Sequence, residues 1–179
     1  MSRLLDLADG SLNAQTEEQK LMAQLTLHNC SHVLYPPFLA RCDDLPELEW
    51  RKLDFTSESR AEVPRQKGVY AFAVEMSARS LMPVTHVLYV GKAGDIASNN
   101  TLWRRYYDYI RTEKVGDRVR IAQMLRQWKG QLSYYYAVVE DGVSTGDVEE
   151  NLLDILIPPY NRGDYSAELS SLLKGANII

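Results

Sequence analysis

Several side chains between residues 70 and 149 are of the types that bind and hydrolyse a phosphate ester. Arg105 carries a planar, permanently charged guanidinium, which suits the oxygens of a phosphate. Glu149 offers a carboxylate, and one carboxylate with waters and a substrate oxygen is enough to hold Mg²⁺. The phenols that could hold or deprotonate a water are those of Tyr70, Tyr89 and Tyr109. A phenol ordinarily has a pKa of about 10, so this role needs a neighbouring cation, for which Lys92 and Arg105 are the candidates. Water activation and charge stabilisation are what phosphodiester hydrolysis requires.

Each of these residues also has an ordinary structural interpretation. Glu149 stands in the first turn of an expected helix, where an acid complements the macrodipole, and Glu150 could equally carry the function. Single tyrosines on strands usually pack half-buried with a hydrated hydroxyl. Arg105 could be a surface charge near Asp108, and Arg104 competes with it for a role at phosphate. Taken one at a time, the residues therefore do not decide the function.

Three strands and five helices must position these residues. β-Branched and aromatic content predicts strands over residues 68–74, 84–90 and 132–139. Apolar spacing and capping residues predict helices over 16–28, 101–111, 117–128, 145–157 and 166–174. The segment between the first two strands contains Pro83 and is too long for a tight hairpin, so it predicts a long loop. The resulting order predicts an α+β fold, with a small three-stranded, mostly antiparallel sheet flanked by helices.

Length and composition predict one globular domain with extensions. The chain has 179 residues, of which 45% are hydrophobic and 25% charged. We expect a helical and irregular N-terminal extension over 1–64, a core domain over 65–163, and a short C-terminal helix and tail over 164–179. No apolar stretch has the length of a membrane span or a signal peptide, so we expect no membrane partner. Two cysteines are too few for a disulfide scaffold, which favours a cytoplasmic setting.

The short pattern formed by His28, Cys30 and His32, followed by Cys42, could suggest zinc. Ligands at every second residue do not match common zinc-finger spacing. Free cysteines more often behave as small buried hydrophobes, and we favour that interpretation.

The charge distribution is more informative than its sum. A net charge of −4 argues against a polyanion partner. Residues 92–129, however, hold 9 basic and 4 acidic residues, whereas residues 130–179 hold 2 and 8. A charge run is usually a solvated helix face, but this one lies beside Arg105 and is interleaved with aromatic residues. We therefore expect it to contact nucleic-acid phosphates, which would make binding strongly salt-dependent. The expected contacts are Arg104, Arg111, Lys114, Arg118, Arg120, Arg126 and Lys129.

Five short motifs, taken in order, resemble a known nuclease family. They are Gly68-Val69-Tyr70, Tyr89-Val90-Gly91-Lys92, Leu102-x-x-Arg105-x-x-x-Tyr109, Glu149-Glu150-Asn151-Leu152-Leu153 and Pro158-Pro159-Tyr160-Asn161. Together they resemble the GIY-YIG nuclease superfamily over residues 65–163. The match at Leu102 and Tyr109 favours Arg105 over Arg104. The twelve-residue separation from Asn161 favours Glu149 over Glu150.

The resemblance implies a GIY-YIG-like fold and a metal-dependent endonuclease that hydrolyses phosphodiester bonds in DNA. It implies Glu149 as the ligand of Mg²⁺ or Mn²⁺, and Tyr70 as the general base. Tyr89 and Tyr109 would orient water and phosphate, and Asn161 would fix the local geometry. The implied catalytic set is Tyr70, Tyr89, Lys92, Arg105, Tyr109, Glu149 and Asn161. The long insertions between the motifs and the single domain resemble the stand-alone restriction-endonuclease branch of the family. The resemblance therefore implies a role in restriction, defence or repair.

Two other function classes stay open at this stage. One is a non-catalytic nucleic-acid-binding module on the same scaffold, and the other is an interaction protein that acts through its acidic N-terminal segment. Retention of all the motif residues favours catalysis. A palindromic target would require a homodimer or two successive nicks, and the sequence chooses neither. It also leaves RNA open beside DNA.

Overall fold

The computed structural model describes residues 16–79, 81–95, 98, 100–111, 118–161 and 164–179. These residues cluster into two compact units, one ending at Cys30 and the other spanning Ser31–Ile179. The first unit contains helix α1, Glu17–Leu27. Thr16 caps α1 through a capping box, because its hydroxyl accepts from Gln19 N and the Gln19 side chain accepts from Thr16 N. The prediction of this helix and of its cap is confirmed.

The second unit is built on one antiparallel four-stranded sheet. Its strands are β1 Arg51–Asp54, β2 Gly68–Ala78, β3 Leu81–Ala93 and β4 Leu132–Val138, and their spatial order is β1-β4-β2-β3. The α+β class is confirmed, with four strands where the sequence predicted three. Strand β1 was missed because its four residues are mostly charged and exposed, so they carry no strand pattern. It precedes residue 65 in the chain, yet it pairs with β4 in the same sheet.

The long loop predicted between the first two strands is wrong. Strands β2 and β3 continue as a paired hairpin out to Ala78 opposite Leu81. The register shifts between Met76 and Ala78, which places an irregularity in the hairpin close to Pro83. Strand β3 lies at the edge of the sheet, where a proline removes no hydrogen bond that a neighbouring strand needs. Pro83 therefore marks an edge strand and does not end it.

Five further α-helices lie in the described part of this unit: α2 Pro36–Leu39, α3 Leu102–Ile110, α4 Val119–Gln127, α5 Thr145–Leu156 and α6 Ala167–Gly175. The side chains of Thr101, Ser144 and Ser166 cap α3, α5 and α6 by accepting from a backbone N–H three residues on. Two 3₁₀ helices span Ala40–Asp44 and Glu58–Glu62. The four predicted helices of this unit are confirmed, although Asp117 lies outside the described residues. Within the described residues, no helix has the length and apolar character that a bilayer crossing requires.

The two faces of the sheet bury different chemistry. Val69 and Ala71 of β2 face an aliphatic core that α5 and α6 complete. Tyr70 and Phe72 alternate with them and face an aromatic core against α3. The other rings of this aromatic core are Phe55, Tyr89, Tyr106, Tyr109, Tyr134 and Tyr136. Because β3 is the edge strand, side chains from both faces can meet beyond it.

Candidate active site

An open pocket of about 1030 Å³ lies at the edge of the sheet and collects most of the predicted catalytic residues. Its lining includes Tyr70, Tyr89, Lys92, Arg105 and Glu149. Strands β2 and β3 supply the tyrosines and the lysine, whereas helices α3 and α5 supply the arginine and the glutamate. Residues that lie up to 79 positions apart in the sequence therefore face one space.

The tyrosines form a tight hydroxyl pair behind the pocket. Tyr70 is 1% exposed, and its hydroxyl oxygen lies 2.6 Å from that of Tyr109, which is also buried. Tyr70 pairs with Gly91 across the β2–β3 ladder. A Cβ at Gly91 would lie 2.6 Å from Cζ of Tyr70, so the ring position requires glycine there. Gly91 of the Tyr89-Val90-Gly91 motif is therefore needed for a steric reason, because the ring of Tyr70 occupies the space of its missing side chain.

Burial raises the pKa of these phenols. Burial raises the pKa of Tyr70 well above its usual value, and the neighbouring Tyr109 and Tyr89 raise it further against the opposing effect of Arg105. The pKa of Tyr89 is raised for the same leading reason. A nearby cation was expected to lower the phenol pKa, but the effect of burial exceeds that of Arg105 here. The direction of these shifts favours neutral hydroxyls, which can hold a water or an oxyanion by hydrogen bonds.

Arg105 presents a partly buried cation with unused donor capacity. Its side chain is 23% exposed, and its Nε is buried without a hydrogen-bond partner among the described residues. Asp108 reaches the Nη1 atom only at 4.0 Å. Arg104, the competing arginine, is exposed and does not line the pocket. A guanidinium that is held over a pocket in this way fits a phosphate oxygen.

Glu149 lies in the first half of α5 and faces Lys92. Its side chain is 21% exposed, and the Nζ atom of Lys92 lies 3.7 Å from one carboxylate oxygen. The same Nζ atom lies 3.2 Å from Asp95, so Lys92 joins two acids of the pocket. Gly146 leaves room for this arrangement, because a Cβ there would lie 2.8 Å from the Lys92 nitrogen. Glu150 lines the pocket too and is more exposed.

The electrostatics of Glu149 fit a cation ligand. Burial raises the pKa of its carboxyl above the usual value; Lys92 opposes this shift, and Asp164 adds to it. A nearby divalent cation would compensate this cost of holding a charge in a partly buried place. Mg²⁺ accepts one protein carboxylate with waters and substrate oxygens, so the residues present fit it. Among the described residues, which include His28, Cys30, His32 and Cys42, no group of three or more His, Cys, Asp or Glu is arranged to hold a metal ion.

Asn161 does not line the pocket but fixes the strand that does. It is 1% exposed, and its Oδ1 atom accepts from Val90 N at 2.8 Å while its Nδ2 atom donates to the Val90 carbonyl oxygen at 2.8 Å. It thereby replaces a neighbouring strand for one residue of the edge. The Nδ2 atom also donates to Asp164 at 3.1 Å. Asn161 is a positioning residue for the segment that carries Tyr89 and Gly91.

The predicted basic contacts separate into two groups. Arg118 and Arg120 line the pocket, which brings them together with Arg105. Lys114 lies outside the described residues. The others are exposed and do not line the pocket: Arg104, Arg111, Arg126 and Lys129. The guanidinium of Arg126 folds back, since its Nε donates to the Ala122 carbonyl oxygen at 3.2 Å.

Several residues of the pocket were not among the site residues predicted from the sequence. They include Asp95, Ser144, Asp147, Tyr160 and Asp164. Asp164 follows Asn161 by three residues, and the same asparagine holds its carboxylate, so the spacing from the asparagine was the available signal. Asp95 follows Lys92 by three, which is the corresponding signal at the other end of the pocket.

Comparisons of the chain with protein-family models, with curated proteins and with solved structures find no match. Function is therefore inferred from the site itself and from the order of its motifs.

Proposed function

We propose that this protein is a metal-dependent endonuclease that hydrolyses phosphodiester bonds in DNA, on a GIY-YIG-like scaffold. The observation that carries the proposal is the convergence of Tyr70, Tyr89, Lys92, Arg105 and Glu149 on one pocket. These are five of the seven residues that the motifs single out, and the other two support them from behind. Tyr109 bonds to Tyr70, and Asn161 bonds to the backbone next to Tyr89.

In this mechanism the chain binds the phosphate and places the water. The guanidinium of Arg105 binds a non-bridging phosphate oxygen and stabilises the charge that develops on it. The neutral hydroxyls of Tyr70 and Tyr89 orient the attacking water, with Tyr109 fixing the first of them at 2.6 Å. As the water oxygen bonds to phosphorus and the bond to the leaving oxygen breaks, the proton of the water passes to a non-bridging phosphate oxygen. Lys92 balances the charge of Glu149. Tyr70 orients the water as a neutral hydroxyl. The general-base role that the resemblance implies would need a cation close enough to offset the burial that raises its pKa.

Glu149 would hold Mg²⁺ or Mn²⁺. Bound there, the ion would supply Lewis-acid stabilisation of the phosphate and of the leaving oxygen. The carboxylate reaches the pocket from α5, which packs on the face of the sheet opposite the aromatic core.

The test is plasmid nicking with Mg²⁺, with Mn²⁺ and with a chelator. Glu149→Gln should lower the rate at least 100-fold, a loss of the size found when one transition-state contact is removed, which is about 10²–10³. Glu150→Gln is the matched control, one residue away on the same helix and also at the pocket, and it should stay within a few-fold. Nicking that survives both the chelator and Glu149→Gln would contradict the proposed metal–glutamate chemistry.

A second pair of variants, at two arginines, adds to this test. Arg105→Lys keeps the charge but loses the planar fork, so it should slow nicking strongly, whereas Arg104→Lys should not. Equal effects of the two substitutions would remove the phosphate role of Arg105.

The second candidate function is a nucleic-acid-binding module without turnover. The raised pKa values of the pocket phenols favour it, since none is poised to take a proton from water. Metal-independent binding of DNA or RNA, together with no cleavage of either under any divalent ion, would select this candidate. Restriction, defence or repair as the biological role, and a dimer as the acting species, stay predictions.

A further inference from the structure

An alternating stack of arginines and aromatic rings covers the outer side of α3. Trp103 and Tyr107 lie one turn apart on α3, and their ring centroids are 6.4 Å apart with the rings nearly parallel at 21°. The guanidinium carbon of Arg60 lies 3.5 Å from the first centroid and 3.6 Å from the second, so this guanidinium sits between the two rings.

Two more arginines extend the stack at its ends. The guanidinium carbon of Arg65 lies 4.1 Å from the Trp103 centroid, and that of Arg111 lies 5.4 Å from the Tyr107 centroid. Arg65 thus shares the Trp103 ring with Arg60, and Arg111 shares the Tyr107 ring with it. The resulting order is Arg65, Trp103, Arg60, Tyr107, Arg111, which we name the arginine ladder.

The ladder carries positive charge at the surface of the protein. Arg65 and Arg111 are exposed, as is Arg104 on the same helix. Among the described residues, no carboxylate lies within 4.0 Å of Arg60, Arg65 or Arg104. Stacking on a ring restrains a guanidinium plane and leaves its N–H edge available, so less side-chain freedom is lost when an anion binds.

We propose that the arginine ladder is a docking surface for the sugar–phosphate backbone of duplex DNA beside the bond that is cut. This inference rests on the proposed function. Helix α3 carries Arg105, which lines the pocket, and it also carries Trp103 and Tyr107, whose rings the ladder arginines contact. Residues 103–111 span about 12 Å of helix at about 1.5 Å per residue. That length covers about three to four nucleotides of one strand at about 3.4 Å each.

The ladder binds phosphates and does not stack bases. Guanidinium carbons lie 3.5 and 4.1 Å from the Trp103 centroid and 3.6 Å from the Tyr107 centroid, so arginines already occupy the positions where a base would stack. The contacts are therefore independent of base sequence and depend on salt. The ladder also gives a function to Arg60, which lies in the first 64 residues of the chain.

The experiment measures binding apart from cleavage. Fluorescence anisotropy with labelled 20-base-pair duplexes of two unrelated sequences, in chelator, compares the full-length protein with the double variant Arg65→Gln/Arg111→Gln. We expect equal weakening for both duplexes, and a plot of log affinity against log salt that is less steep by about 2. Between about 50 and 200 mM salt, that change makes the loss of affinity about tenfold smaller.

The matched control is Arg79→Gln/Lys174→Gln, which removes two exposed charges away from the ladder. Arg79 follows the last residue of β2, at the hairpin end far from Gly68, and Lys174 lies in α6. A control that weakens binding as much as the ladder variant overturns the ladder. Weakening for only one of the two duplexes overturns the backbone assignment. Circular dichroism melting verifies that both variants are folded.

Failure of the ladder and failure of the proposed nuclease give different results. Unchanged binding of the ladder variant with normal nicking overturns the ladder alone. Weakened binding of the variant by a protein that never nicks DNA supports the ladder and overturns the nuclease. No binding of any duplex by the unmodified protein overturns the ladder, whatever the nicking assay finds.

Discussion

Asn161→Ala should lower the free energy of unfolding by about 2–6 kcal/mol, because it leaves both backbone groups of Val90 without a partner. Those groups bond to Oδ1 and Nδ2 of Asn161, each at 2.8 Å, in a place where Asn161 is 1% exposed. A buried backbone group that loses its partner costs about 1–3 kcal/mol, and here there are two. Domains of this kind have a total stability of about 5–15 kcal/mol, so the variant should be destabilised but still foldable.

Urea unfolding at 25 °C, followed by tryptophan fluorescence, measures this loss as a shift of the midpoint at constant slope. Gln123→Ala removes an exposed amide from α4 and is the control, with an expected change within about 0.5 kcal/mol. Asn161→Asp keeps the acceptor for Val90 N but loses the donor and faces Asp164, so it should be destabilised as well. A loss below about 1 kcal/mol for Asn161→Ala would refute the assigned hydrogen bonds, since each of them is worth about that much.

The same variant separates positioning from binding. Val90 stands between Tyr89 and Gly91, so loosening it moves the tyrosine that lines the pocket. Under conditions where the variant is folded, we expect slower nicking at saturating DNA with nearly unchanged duplex affinity in chelator. An equal loss of both would show that Asn161 acts on the fold as a whole.

Three further predictions follow from other contacts. Gly91→Ala should lower stability by about 1–3 kcal/mol and slow nicking, because a Cβ there lies 2.6 Å from Tyr70 Cζ; unchanged urea midpoint and rate would contradict it. Burial raises the pKa of Glu149 in the folded protein, so the free energy of unfolding falls as the pH rises above the usual carboxyl range and the buried group ionises. Glu149→Gln, which cannot ionise, should therefore be more stable than the unmodified protein at pH 7. That gain should vanish in melts near pH 4, and a gain that persists there would contradict it. Arg41→Ala should lower the free energy of unfolding, measured in urea, by about 1–3 kcal/mol. The substitution removes the guanidinium that lies 3.2 Å from the buried Asp154 carboxylate and leaves Ser166 as the remaining side-chain partner described for it. Arg41→Lys should recover part of the loss.

The sequence predicted the elements that carry strong local patterns. Helix α5 illustrates this, because Ser144 caps it and Pro158 follows just after its end at Leu156. Strand β2 was also predictable from its run of β-branched and aromatic residues, with both faces buried over its first seven positions. Strand β1 was not predictable, since its pairing with β4 is a long-range contact between otherwise ordinary charged residues.

The features of the site also separate into those that the sequence predicts and those that only the fold produces. The order of the motifs predicted which residues share the pocket, and Tyr70, Arg105 and Glu149 do so. The direction of the pKa shift of Tyr70 was not predictable, because it depends on the burial that the aromatic core produces. The arginine ladder was hidden for a different reason. Arg60 lies 43 positions before Trp103 in a stretch that carries no strong pattern, so only the fold brings the two together.

The charges of the pocket indicate that the divalent ion and the ladder contribute separately to the affinity for duplex DNA. Among the residues that the structure describes, the lining holds five acids, Asp95, Asp147, Glu149, Glu150 and Asp164, against four bases, Lys92, Arg105, Arg118 and Arg120. A DNA backbone entering this pocket meets little net attraction, so affinity in chelator must come from cations outside it, among which the ladder is the group fixed by stacking. A divalent ion at Glu149 would shift the balance of the pocket to positive. Added Mg²⁺ or Mn²⁺ should therefore strengthen duplex binding in the ladder variant by the same factor as in the unmodified protein, since the two act at separate places.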